Sequence, residues 1–270
     1  MAAQGSDEQI SHGPATPGGR RIVVLTAQGT LSGIVVNGLT ARLGALTVIS
    51  EQPESRGEIF RRRARLLGVV PAIGQVALGM MMRLDRRRGG KLREIYATHG
   101  LNPDCDPAVP VYPVPSVNAQ ACRDLLAELK PDVVAVYGTR LLSRKTLAAV
   151  PAPFINYHAG ITPKYRGQDP AYWALATGDA EHAGVTIHLV DHGVDTGAVL
   201  YQQRVVFGPG DNLGTYQHVQ AATALPLFAR AIEDALANRL APVAVDLPSM
   251  KWFPPTLWTY VRIGLTRGAW

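Results

Sequence analysis

Short apolar runs alternate with stretches of helical spacing along the first 160 residues. Arg21 to Thr26 (Arg-Ile-Val-Val-Leu-Thr) is a continuous apolar run behind a glycine pair, the pattern of a parallel strand buried on both faces. Gln28-Gly29-Thr30 then turns into a helix with apolar periodicity over Leu31–Leu43, and Leu46–Ser50 reads as a second strand. Residues 107–113 are punctuated by proline and hold only a short strand; Val117–Leu129 follows with helical spacing. Asp132–Tyr137, Ser143–Val150 and Phe154–Asn156 continue as strand, short helix and strand. This alternation predicts an α/β fold with a mostly parallel, twisted, doubly wound sheet. Ligands of such sheets sit beyond the carboxyl ends of the strands.

The second half changes character. Gly184–Val190 and Ala198–Val206 are strand-like and are joined by the turn-rich loop His192-Gly193-Val194-Asp195-Thr196-Gly197, so a hairpin-like pair is expected to extend the sheet. Leu213–Leu240 is alanine-rich and predicts one long helix on a sheet face. Two segments stand apart. Leu66–Met82 is apolar for 17 residues but is interrupted by Gly68, Pro71, Gly74 and Gly79 and is short for a membrane span, which reads as an amphipathic lid or interfacial helix. Lys251–Trp270 carries three of the four tryptophans (Trp252, Trp258, Trp270) beside Phe253 and Tyr260. Such a tail docks on its own chain, on a second subunit of a homodimer, or, through Arg262 and Arg267, on a bilayer.

Composition narrows the class. The chain has 270 residues, 47% hydrophobic and 18% charged, enough for one main domain and a small appendage, and too rich in core residues for disorder. The expected division is a leader over 1–20, a main domain over 21–240 with an insertion at 56–93, and an extension over 241–270. The start is polar and rich in Gly, Ser and Pro with no apolar segment, unlike a signal peptide. Cys105 and Cys122 are too few for a disulfide scaffold, so a reducing, cytoplasmic setting is expected. Of the net charge of +6, residues 56–93 supply a local +9, from eleven basic and two acidic side chains, leaving the rest at −3. That concentration argues against a broad nucleic-acid face and for one anion-facing element. Three readings of the insertion stand side by side: a packed helical insertion with solvated arginines, contact with an anionic membrane surface, or contact with a substrate phosphate.

Chemistry concentrates after Phe154. Asn156 and His158 are two apart at a strand end and so project to one side. An amide and an imidazole aimed at one point can polarise a carbonyl and steady its oxyanion. Asp195, in a glycine-bracketed loop, is placed to orient the imidazole, raise its pKa and take protons from an attacking amine. His182 and His188 read as ordinary structural histidines with no ligand set around them, and Cys122 as core packing; no metal is expected. Gln28-Gly29-Thr30-Leu31-Ser32-Gly33 lacks the tight glycine pair of a dinucleotide fingerprint.

The run from Asn156 to Gly167, with Gly184-Val185-Thr186-Ile187-His188 and Asp191-His192-Gly193-Val194-Asp195-Thr196-Gly197, resembles the 10-formyltetrahydrofolate-dependent formyltransferases. That group contains methionyl-tRNA, glycinamide ribonucleotide and sugar N-formyltransferases. The resemblance implies a Rossmann-like formyltransferase domain and casts Asn156, His158 and Asp195 as the catalytic trio. It implies 10-formyltetrahydrofolate as formyl donor, held by Thr139-Arg140-Leu141-Leu142, with Leu142 as an apolar wall, and by Asp191-His192-Gly193-Val194. The acceptor amine would be met by Gln28, Gly29 and Thr30 and by the loop carrying Tyr165, Arg166 and Gln168, where Arg166 either pairs with an anionic acceptor or shapes the loop. This chain differs from the family pattern in Ala159-Gly160-Ile161-Thr162-Pro163 after the histidine and in His192, where relatives often carry an acidic residue. The basic insertion points to a phosphate-bearing small-molecule acceptor, a nucleotide-linked amino sugar in particular. After Leu240 too few residues follow for the extra domain of the tRNA enzymes, so no nucleic-acid partner is expected. Glycinamide ribonucleotide formylation, hydrolysis of the donor, and a membrane-surface or partner-binding protein on this fold are the alternatives, the last placing the protein at the inner face of the membrane.

Overall fold

The computed structural model describes residues 19–85, 87–104 and 106–270; the expected leader, apart from Gly19 and Arg20, and Cys105 lie outside the described residues. In chain order the elements are β1 (Ile22–Ala27), α1 (Thr30–Leu43), β2 (Thr47–Glu51), α2 (Arg56–Leu67), α3 (Val69–Leu84), α4 (Arg87–His99), β3 (Val111–Val114), α5 (Gln120–Leu129), β4 (Val133–Tyr137), α6 (Arg144–Leu147) and β5 (Phe154–His158). There follow β6 (Arg166–Gly167), α7 (Pro170–Ala176), β7 (Gly184–Leu189), β8 (Val199–Arg204), α8 (Tyr216–Leu236), β9 (Lys251–Trp252) and α9 (Leu257–Arg267).

The main sheet has seven strands in the order β3-β2-β1-β4-β5-β7-β8. The first five pair in parallel and β7 and β8 add antiparallel, so the expected strand pair does extend the sheet. Strands β1 and β4 read as apolar runs because helices cover both of their faces, and β2, though it carries Thr47, Ser50 and Glu51, is buried along its whole length. Helices α1 and α8 cover one face, with Ile34, Leu39, Leu225 and Phe228 packed on Val24, Ala135 and Ile155. Helix α5 covers the other, with Cys122, Leu126 and Leu129 on Val23, Val134 and Phe154. The two covering helices of the first face lie close because α1 has a glycine at the crossing: a Cβ on Gly38 would press into the Leu225 side chain. Pro226 sits inside α8 on its exposed side, where water can serve the carbonyl it leaves without a partner.

The insertion is helical, as expected, and is divided among α2, α3 and the start of α4. Ser55 caps α2, its hydroxyl accepting from the Glu58 amide while Glu58 Oε2 accepts from the Ser55 amide at 3.0 Å. Pro71 falls in the first turn of α3, where its missing N–H costs no helical bond, so α3 runs on through Gly74 and Gly79. The aromatic tail docks on its own chain. Trp252 stacks on Trp173 at 4.9 Å and on Tyr165 at 5.7 Å, Tyr260 stacks on Tyr172, and the Trp258 ring lies across Gly74 of α3. Strand β9 of the tail pairs in parallel with β6, in the middle of the loop that follows β5.

Candidate active site

Strand β5 sends Ile155 and Tyr157 into the α8 face and Phe154 to the α5 face. The period of two therefore puts Asn156 and His158 on the α5 side, where that core ends and the crevice beyond the sheet begins. Asn156 is paired across the sheet with His188 of β7, and its Nδ2 donates to His188 Nε2 at 3.0 Å. The donor role follows because His188 Nδ1–H is committed to the Leu189 carbonyl at 2.7 Å, leaving Nε2 with its lone pair. Asp195 joins the two histidines: its Oδ2 is 3.4 Å from His158 Nδ1 and its Oδ1 is 3.8 Å from His188 Nε2. The loop is shaped to hold the carboxylate there. Asp195 adopts a left-handed backbone (φ 52), Asp191 Oδ1 accepts from the Gly193 amide and the Thr196 hydroxyl, and a Cβ on Gly197 would run into the Leu189 carbonyl. The Gly167 amide donates to Asp195 Oδ2 at 2.8 Å.

His158 is enclosed by acceptors. Its Nε2 is 2.7 Å from the Tyr165 carbonyl and its Nδ1 faces Asp195. Burial lowers its pKa, and Asp195 and the Tyr165 carbonyl only partly restore it, so the net shift is downward. Asp195 does push the pKa of this ring upward, as the sequence suggests, but at 7% exposure the desolvation of the ring outweighs it. Burial also opposes the charge of Asp195, yet His158, His188 and the Gly167 amide more than compensate and hold its pKa far below the usual carboxylate range. A carboxylate that stays ionised beside an imidazole flanked by two acceptors is a place prepared to receive one proton.

The residues expected to hold the folate are divided by the structure. Arg140 is committed elsewhere: its amide donates to Glu51 Oε1 at 2.6 Å, its guanidinium to Glu51 Oε2 at 2.8 Å and to the carbonyls of Pro115 and Gln52. Leu142 is 3% exposed and packed in the core below the loop, so it cannot be the apolar wall; Leu141, at 52%, is the residue turned outward. Thr139 Oγ1 turns back on the Arg140 carbonyl. Across the crevice Asp191 shapes its own loop, while His192 is exposed and Gly193 and Val194 are half-buried. Of these residues Leu141 and His192 are exposed, while Thr139, Arg140 and Asp191 are hydrogen-bonded within the fold and Leu142 is buried.

On the acceptor side, Gln28, Gly29 and Thr30 are exposed at the start of α1, which has no side-chain cap. Tyr165 is corrected to a structural role. The side chain is 2% exposed, with its hydroxyl bonded to Thr177 at 3.0 Å and Asp179 at 2.7 Å, because the ring is needed under Trp252. Arg166 shapes the loop by donating to the Val194 carbonyl at 3.1 Å, yet its Nε is buried with no partner among the described residues. Gln168 is exposed, its amide tied to the Trp252 carbonyl. Next to it Asp169, in a left-handed turn, has a pKa raised by burial to about 6, with Arg63 of α2 opposing the rise.

Further residues build the site. His188 is a member of the cluster rather than a bystander, and its strand parity opposite Asn156 was the available signal. Glu51, 3% exposed, ties β2 to the loops after β3 and β4, accepting also from the Val117 amide at 3.2 Å. Gln220 of α8 donates to the Ala159 and Gly184 carbonyls, both at 2.7 Å, and so fixes the turn after His158. Around His182 a carboxylate set does exist, contrary to the sequence reading: Asp179 and Glu181 stand with it. The Asp179 oxygens are already engaged. Asp179 is bound by Lys164 at 2.6 Å and by Tyr165 and His182, which overcome its burial and take its pKa down to about 2, so a metal there would have to displace a lysine.

The family model described as "Formyl transferase" matches residues 106–232. Methionyl-tRNA formyltransferase of Pelotomaculum thermopropionicum is 32% identical over 189 residues, 67% of this chain and 58% of that protein. The chain spans from about a third to about three fifths of the length of the curated relatives it matches. Among solved structures, a sugar N-formyltransferase from Shewanella sp FDAARGOS_354 superposes with a TM-score of 0.53 at 15% identity, covering 86% of this chain and 76% of that one. Glycinamide ribonucleotide transformylase 1 from Symbiobacterium toebii superposes with a TM-score of 0.54 at 20% identity, covering 83% and 91%. No helix among the described residues is long and apolar enough to cross a membrane. Residues 106–232 thus match the formyl transferase family domain, and the chain shares the fold of solved formyltransferases.

Proposed function

We propose that the chain is an N-formyltransferase that moves a formyl group to the amine of a small acceptor. The observation that carries the reading is the linked set Asn156–His188–Asp195–His158 at the end of β5. With 10-formyltetrahydrofolate bound along Leu141 and the 192–194 loop, the folate supplies the formyl carbonyl. Asn156 then offers an amide N–H to the carbonyl oxygen. The proton lost by the attacking amine passes to the His158–Asp195 pair, where His158 Nδ1 can hold it between Asp195 Oδ2 and the departing nitrogen while the Tyr165 carbonyl fixes Nε2–H. The Gly167 amide keeps the carboxylate in place throughout.

An acceptor with anionic groups, such as a nucleotide-linked amino sugar, is supported by two features. Arg166 keeps a buried Nε with no partner among the described residues beside the Asp195 loop, and the charge of Arg63 on α2 acts on the buried Asp169 two residues after Gly167. A second reading, transfer to methionyl-tRNA, is supported by the names of the curated relatives. The test is to mix the protein with 10-formyltetrahydrofolate and, in separate reactions, nucleotide amino sugars, glycinamide ribonucleotide and methionyl-tRNA, following tetrahydrofolate release and product mass. Acceptor-dependent release that drops about a hundredfold or more in Asn156→Ala and His158→Ala is expected. Release that needs no amine would make the protein a hydrolase, and release unaffected by either substitution would remove the trio from the mechanism.

A further inference from the structure

Helix α3 is built inside out. Its one polar side chain before Arg83 is Gln75, and Gln75 points inward, 5% exposed, with Nε2 donating to the Pro254 carbonyl at 2.8 Å. What α3 turns outward is Val69, Val70, Ile73, Val76, Met80 and Leu84, each 44–79% exposed. Positions 69, 73, 76, 80 and 84 follow helical spacing and form one stripe along the helix. Helix α9 packs beside it, Trp258 lying across Gly74, and continues the surface with Trp258, Val261 and Leu265 at 49%, 37% and 75% exposure. A helix whose outer side faces only water carries polar residues there, and an apolar face of this extent on a folded chain marks a contact surface.

The rim says which contact. Arg61 and Arg65 stand beside Leu66 at one end, Arg83 beside Leu84 at the other, and Arg262 and Arg267 on α9; all are exposed. In α2, α3 and α9 together the single acidic residue is Glu58. An apolar stripe edged by cations matches the interface of an anionic bilayer, where aliphatic side chains enter the acyl boundary and guanidinium groups meet lipid phosphates. A second copy of the chain fits worse, because a two-fold interface brings one cationic rim against another with Glu58 as the single acidic residue of these helices to answer it. At 16 residues, α3 is also about 6 Å short of a typical hydrocarbon core of about 30 Å, so the contact is along the surface.

We propose that α3 and α9 seat the protein on an anionic membrane surface, with the arginine rim against the lipid headgroups. The face adjoins the loops around β5 through α2: Glu54, in the segment leading into α2, is 3.8 Å from Arg140 Nε, and the charge of Arg63 on α2 acts on the buried Asp169.

The test needs no activity and stands apart from the catalytic reading. The full chain is floated with vesicles of phosphatidylcholine alone and of phosphatidylcholine mixed with phosphatidylglycerol, at low and high salt. Flotation with the anionic vesicles, weakened by salt, is expected. The variant Ile73→Glu/Leu265→Glu should lose about tenfold or more of the bound fraction, and Arg61→Glu/Arg65→Glu should lose the dependence on anionic lipid. Circular dichroism and melting should be unchanged in both, since all four side chains project outward. No flotation, equal flotation of the wild type and Ile73→Glu/Leu265→Glu, or a dimer in solution that this variant splits while nothing floats, would each overturn the proposal.

Discussion

His158 stands between two acceptors, and that arrangement sets what each neighbour contributes. Asp195 occupies a left-handed turn, a conformation that asparagine also accepts, so Asp195→Asn removes the charge and spares the loop. We expect turnover to fall about a hundredfold or more, with folate affinity changed only a few-fold, as measured by steady-state rates and equilibrium binding. Gly197→Ala should act through shape instead, its methyl driven into the Leu189 carbonyl, and the variant should lose both folate binding and melting temperature. A second histidine reports on pH. His218, 4% exposed and 3.0 Å from the Tyr96 hydroxyl, has its pKa lowered by burial, with Arg88 adding to the effect, to about 4. Because the unfolded chain binds this proton first, stability should fall as pH drops from about 6.5 toward 4, by roughly 3 kcal/mol at the low end. Urea midpoints of wild type and His218→Phe at pH 7 and pH 4.5 should therefore converge in acid.

At the scale of the element, the loops that carry the site are held by single buried side chains. Glu51 at the end of β2 accepts from the Val117 amide and from both the amide and the guanidinium of Arg140. Glu51→Ala would strand those donors in a buried place and should cost about 2–4 kcal/mol, read by denaturant titration, together with weaker folate binding. Such clamps explain what could be read from the chain and what could not. The parallel strands were legible because burial on both faces forces unbroken apolar runs such as Ile22–Leu25 and Val133–Val136. Asn156 and His158 were legible because a period of two leaves little choice of side. Leu141 and Leu142 were not, since which of two adjacent leucines turns inward depends on how the loop closes over Glu51. The three-helix insertion was hidden as well: Pro71 looks like a breaker until its place in the first turn is known. Tyr165 had the composition of a contact residue, and only the arrival of Trp252 from 87 positions later makes it a buried support.

On the scale of the whole molecule, the sheet supplies one half of the site and the tail braces the other. The backbone of Arg166 and Gln168 bonds to Met250 and Trp252, while Gly167, between them, holds Asp195. Trp252→Ala should therefore cost about 2–3 kcal/mol of stability and also reduce turnover, whereas a change on the far edge of the sheet should affect stability alone. Measuring melting temperature and rate for Trp252→Ala beside Val111→Ala on β3 would separate the two, since Val111 is 52% exposed and remote from the loop after β5. The fold class was readable from the alternation of elements, but this bracing was not, because contacts between distant segments leave no local periodicity.

The pairing of β6 with β9 makes the last strand a separable part of a working whole. Residues 237–250 run from α8 to β9 largely exposed and without helix or strand. A cut there would divide the chain into a large piece that holds every member of the catalytic set and a short peptide that holds the brace. Supplied separately, the peptide should restore the Asp195 loop and with it the reaction, so that formyl transfer becomes the readout of two fragments finding each other.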